Sequence, residues 1–125
     1  MLNRRQLRIK VLQALYAFFQ SGDHDLPRGE RELLTGVKKS FELYFYLLSL
    51  LLELRSQADR YSEDAKSKLR PSEDDLNPNR KFIENKILVQ LSNNKNLTKS
   101  CQEQGISWQD KGEMVRKILS NLKSQ

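Results

Sequence analysis

The stretch FELYFYLLSLLLEL, residues 41–54, decides the fold class. It is almost continuously apolar, yet it falls short of the roughly 20 residues a helix needs to cross a bilayer. Glu42 and Glu53 also interrupt it, so it reads as a helix buried in a protein core. Working backwards, the helical pattern reaches Pro27, which suits a first helical turn, with Asp25 as N-cap. Working forwards, it reaches about Leu69, with Gly36 and Ser49 as places for a bend. The portion beyond Arg55, SQADRYSEDAKSKL, is polar and is expected to protrude or fray.

Other helices flank this long central one. An amino-terminal helix is predicted from an N-cap at Asn3 to about Gln20, ending at SGDHD. On the other side RPSEDDLNPN reads as a loop, because Pro71 stops one helix and Asn77-Pro78 opens the next. That next helix, about Asn79 to Leu91, is expected to bury Phe82, Ile83, Ile87, Leu88 and Leu91. SNNKN breaks it, and a short helix follows through Gln104. Gly105 then suits a left-handed helix end with Ile106 as the apolar residue after it. Ser107 and Asp110 form an S-x-x-D start signal for a last helix, Trp108 to about Leu122, with Met114, Val115, Ile118, Leu119 and Leu122 on one face. The expectation is an all-α bundle of about five helices, one domain over residues 1–125.

Composition bounds the function. The formal net charge is +6, and it is unevenly spread: residues 1–22 carry +4 with no acid, residues 23–94 about −1, and residues 95–125 +3. A concentrated basic patch points to a polyanion, with nucleic acid ahead of an anionic membrane surface. Cys101 is the single cysteine, so an internal disulfide is excluded and a cytoplasmic setting is expected. The basic opening followed by VLQALYAFF imitates two targeting signals. It makes a poor secretory one, since Gln13 breaks the apolar run and no small-residue cleavage site follows. It makes a better mitochondrial one, being amphipathic and acid-free, although such peptides are removed and this stretch supplies core material. His24 lies between two aspartates in a turn, without neighbouring metal ligands. Cys101 reads as a half-buried thiol and Trp108 as a core anchor. No carboxylate pair, glycine-rich phosphate loop or Ser-His-Asp set emerges, so neither an enzyme nor a cofactor or metal site is expected.

The amino-terminal helix carries the functional signal. Acidic residues normally occupy a helix amino end, where the macrodipole is positive, yet here stand Arg4, Arg5 and Arg8. At 100° per residue, Leu7, Val11, Ala14, Leu15 and Phe18 form one stripe, with Leu12 and Phe19 at its margin. Arg4 and Arg8 fall in the sector that Leu15 and Phe19 occupy further along, with Arg5 beside them and Lys10 turned elsewhere. An unpaired arginine at a core edge is very costly, so this end is expected to project or to meet an acidic partner. Guanidinium forks suit phosphate, and Gln13 and Tyr16 would add an amide and a stacking ring for single-stranded RNA. The plainer readings are a solvated basic face and a half-buried core tyrosine.

RRQLRIKVLQALYAFFQSGD resembles the first helix of the NusB family of bacterial transcription antitermination factors, which opens with an arginine-rich stretch and an A-x-Q-A-L-Y-like segment. The matching residues are Arg4, Arg5, Arg8 and VLQALY, Val11 to Tyr16. DLNPNRKFIENKI and the Trp108 helix resemble the amino-terminal portion of longer NusB chains. The resemblance implies a helical protein that binds the boxA element of nascent RNA with NusE, a ribosomal protein, in the RNA polymerase antitermination complex. It implies RNA contacts from Arg4, Arg5, Arg8, Lys10, Gln13 and Tyr16, with Lys10 reaching from another side of the helix. The family's carboxy-terminal K-V-x-x-N-E-like and F-V/I-N-G-like segments are not in this sequence, so the chain resembles an amino-terminal piece of the family, without that bundle, or a shortened relative. Two alternatives stand beside RNA binding: a helical scaffold whose basic helix docks an acidic protein, and a basic amphipathic membrane-surface or targeting helix.

Overall fold

The computed structural model describes residues 2–124, and among them the chain is all-α with no strand. Six helices follow in order: α1 Arg4–Ser21, α2 Leu26–Lys66, α3 Glu73–Leu76, α4 Lys86–Ser92, α5 Lys95–Glu103 and α6 Gly112–Lys123. The long helix expected around residues 41–54 is α2, 41 residues in all. The chain parts into two compact units, Met1–Tyr44 and Phe45–Gln125, and α2 contributes to both.

In the first unit, α1 ends where Gly22 adopts φ +66°, a left-handed conformation that favours glycine. The Asp25 carboxylate accepts the Arg28 backbone N–H at 3.2 Å and so caps α2 as the sequence predicts. Phe18 of α1 lies over Gly29 of α2. A Cβ at Gly29 would stand 2.9 Å from Phe18 Cδ2, so glycine is what lets the ring approach. Val11, Leu15, Leu26 and Leu33 gather along the same seam. No residue of α1 is fully buried, so this hairpin is held by half-buried contacts.

The second unit holds the denser core: Leu54, Ala58, Ile83, Val115 and Leu119, with Leu50, Trp108 and Ile118 packed against it. Fully burying a leucine contributes about 1.5–3 kcal/mol, and Leu88, Leu97 and Ile106 are buried in this unit as well. The stretch beyond Arg55 neither protrudes nor frays. It stays helical to Lys66 and buries Ala58, Ser62 and Ala65. These recur at helical spacing and are small, so they admit neighbours closely while large polar residues between them remain solvated. The helix stops short of Leu69, where Ser67 turns its hydroxyl onto the Asp64 carbonyl at 2.8 Å. Inside the expected loop, Ser72 and Asp75 form a reciprocal capping box that starts α3. That backbone hydrogen bond from Ser72, with the Lys68 ammonium beside it, holds the Asp75 carboxyl below its ordinary value.

Two helix starts lie later than expected. Residues 80–84 form a turn and α4 begins at Lys86, because the Ile83 carbonyl accepts Arg55 Nε–H at 2.7 Å. The Ile87 N–H, which a continuing helix would give to Ile83, goes to the Asn85 side chain at 2.9 Å. Ile83 and Leu88 are buried as predicted and Leu91 is half-buried, whereas Phe82 and Ile87 are exposed. The last helix starts at Gly112, after a 3-10 turn at Gln109–Lys111. Ser107 accepts the Gln109 N–H at 3.2 Å and the Trp108 carbonyl accepts the Lys111 N–H at 3.0 Å. This turns the Trp108 indole inward, where its N–H reaches the Tyr46 carbonyl and the Ser49 hydroxyl, each at 3.0 Å. Trp108 is the core anchor the sequence indicates. On α6, Val115 and Leu119 are buried and Ile118 is half-buried, while Met114 and Leu122 stay exposed.

Candidate nucleic-acid interface

The amino end of α1 is built by neutral groups. The Asn3 side chain accepts the Gln6 backbone N–H at 2.9 Å, and the Gln6 side chain accepts the Asn3 N–H at 3.0 Å. This capping box satisfies two orphan amides without a carboxylate, and the first turn holds no acid. The positive end of the helix dipole is therefore left uncompensated beside Arg4, Arg5 and Arg8. All three arginines are exposed. Among the described residues none of them has a carboxylate within ion-pair distance. An anion arriving here meets guanidinium forks and the dipole together, with no internal acid to displace.

The remaining predicted residues divide between faces. Lys10 is half-buried and lies with Gln13, Ala14 and Ala17 along a shallow groove that Gly29, Glu32 and Gly36 of α2 complete. It does not join the arginines. Gln13 is exposed at the edge of that groove. Tyr16 is 68 % exposed, so the plainer reading of a half-buried core tyrosine does not hold. Its neighbours Leu12 and Phe19 are also open, at 69 % and 74 %. Only part of the apolar surface of α1 is therefore occupied by α2 in this unit. Positions 5, 8, 12, 15 and 19 follow alternating steps of three and four, so the arginines continue a mostly exposed apolar seam toward the amino terminus.

The other singled-out residues are quiet. His24 is exposed in the turn between α1 and α2, where its carbonyl accepts the Leu26 N–H at 3.1 Å. Cys101 is half-buried, and burial pushes its thiol up, lowering its thiolate fraction. Gly105 takes φ +64°, and the Ile106 N–H reaches back to the Cys101 carbonyl at 2.9 Å, closing α5 as predicted. Among the described residues no group of three His, Cys, Asp or Glu side chains is placed to hold a metal ion, and no helix is long and apolar enough to cross a membrane.

Sequence reasoning missed a second gathering of cations, in the second unit. Arg60, Arg116 and Lys123 line one groove with Tyr61. They come from two helices more than fifty residues apart, so no local motif announces them. Compared with known proteins, the chain matches no family model, no curated protein and no solved structure.

Proposed function

We propose that this chain is an RNA-binding, non-enzymatic domain of a transcription antitermination factor of the NusB type, acting in the cytoplasm. On this reading the amino end of α1 holds the phosphates of a boxA-like single strand. The observation that carries it is the exposed triad Arg4, Arg5 and Arg8 beside a helix end capped without any acid. Tyr16 and Gln13 lie two to three turns further along the same helix, exposed, where a stacking ring and an amide would meet bases. The resemblance of RRQLRIKVLQALYAFFQSGD to the NusB first helix supplies the RNA class, and a NusE-type ribosomal protein and the RNA polymerase complex as partners.

The test is titration of boxA-like RNA across a range of salt. Affinity is expected to fall with salt, with Arg5→Ala and Arg8→Ala each lowering the log–log slope by roughly 0.7. Salt-independent affinity, or no change in either variant, would overturn the proposal.

A second reading draws on the open side chains of Leu12, Tyr16 and Phe19. An amphipathic helix of a partner protein would cover that seam and meet the arginines with acidic residues. Protection of these residues by an acidic helical peptide, with RNA failing to bind, would favour it.

A further inference from the structure

Helices α2 and α6 bound a groove of about 530 Å³ within the second unit. Its charged lining is Arg60, Arg116 and Lys123 against Asp64, and Gln57 and Ser120 add neutral hydrogen-bonding groups. Arg116 and Lys123 are seven residues apart, so they share one face of α6 about 10 Å apart along its axis. Leu119, buried between them, ties that face to the core.

The groove's cations differ from Arg80, Lys66 and Lys68 in how they are partnered. Arg80 gathers Asp59 at 3.0 Å, Glu84 at 3.4 Å and Glu63 at 3.9 Å. Lys66 pairs with Glu63, and Lys68 with Asp75. Arg60 and Arg116, by contrast, have no carboxylate within ion-pair distance among the described residues, although Asp64 lies one turn from Arg60. Lys123 is held in place by an aromatic ring, its Nζ 3.9 Å from the centroid of Tyr61. A fixed ammonium and two free guanidinium forks in one concave surface repel each other until an anion joins them.

We propose that this groove is a second phosphate-binding surface for single-stranded RNA, separate from the arginines of α1. The inference rests on the RNA reading above and extends it to the second unit. Two cations spread along α6 and a third on α2 suit successive phosphates of one strand better than one isolated phosphate group. Gln57 and Ser120 would meet sugar or base edges there.

The experiment compares three full-length proteins in salt-dependent titrations with a boxA-like single strand: wild type, Arg60→Gln/Arg116→Gln/Lys123→Gln, and Arg4→Gln/Arg5→Gln/Arg8→Gln. Each set exchanges exposed side chains, and circular dichroism checks that helicity is kept. The groove variant is expected to lower the log–log slope by about 2, from three lost phosphate contacts at roughly 0.7 each. An unchanged slope in the groove variant beside a lowered one in the α1 variant would overturn the groove and leave the α1 reading standing. Unchanged slopes in both would overturn both. In wild-type protein, RNA is expected to shift the Arg60 and Arg116 Nε–H resonances, and unmoved resonances would overturn the proposal without any variant. Equal shifts from inorganic phosphate at the same phosphate concentration would overturn the strand reading in favour of a single-anion site. Equal affinity for poly-glutamate would overturn it in favour of an acidic protein.

Discussion

Trp108 shows how one side chain sets the course of a whole segment. Its indole N–H is shared between the Tyr46 carbonyl and the Ser49 hydroxyl, and its ring meets Tyr46 edge-on at 5.9 Å between centroids. Trp108→Phe keeps an aromatic ring but removes that donor. Ser49 still donates to the Tyr46 carbonyl at 2.9 Å, so the acceptor is not orphaned. The expected loss is about 1–2 kcal/mol, read as a lower urea midpoint with unchanged slope. An unaltered midpoint would mean that the indole hydrogen bonds add nothing net. At the same scale, Arg55 decides where a helix begins by taking the Ile83 carbonyl, and no sequence signal marks that choice.

Among the elements, α1 and the first part of α2 depend on close approach at one point. Gly29 and Gly36 both lie in the body of α2, where glycine costs about 1 kcal/mol relative to alanine. Gly36 has open space where a Cβ would go, so Gly36→Ala is expected to stabilise by about 0.5–1 kcal/mol. Gly29 has Phe18 there, so Gly29→Ala is expected to destabilise by about 1–3 kcal/mol through overpacking. Thermal unfolding of the two variants checks the contrast, and adding Phe18→Leu should recover part of the Gly29→Ala loss. Equal stabilisation by both would show that the ring moves aside freely. The element bounds themselves were mostly legible, because Asn3, Asp25 and Gly105 act through their immediate neighbours. The fate of residues 56–66 was not, since Ala58, Ser62 and Ala65 are too small to stand out as a core stripe among charged neighbours.

For the whole molecule, the core of Leu54, Ala58, Ile83, Val115 and Leu119 belongs to the second unit alone. Leu119→Ala is expected to cost about 2–5 kcal/mol there. It should speed amide exchange in α4 to α6 and in residues 45–66 while α1 keeps its wild-type rates. Equal acceleration in α1 would show one cooperative unit instead. The sequence by itself determined the helical class, the long helix through residues 41–54, the caps at Asn3 and Asp25, the glycine end at Gly105, and the acid-free arginine end of α1. These are local properties, written in periodicity, capping chemistry and charge over a few turns. Only the tertiary structure decided that Tyr16 and Phe19 stay open, that the polar end of α2 buries Ala58, Ser62 and Ala65, and that Arg60 shares a groove with Arg116 and Lys123. Burial and juxtaposition depend on which distant residues the chain brings together, and that information is absent from any single stretch of it.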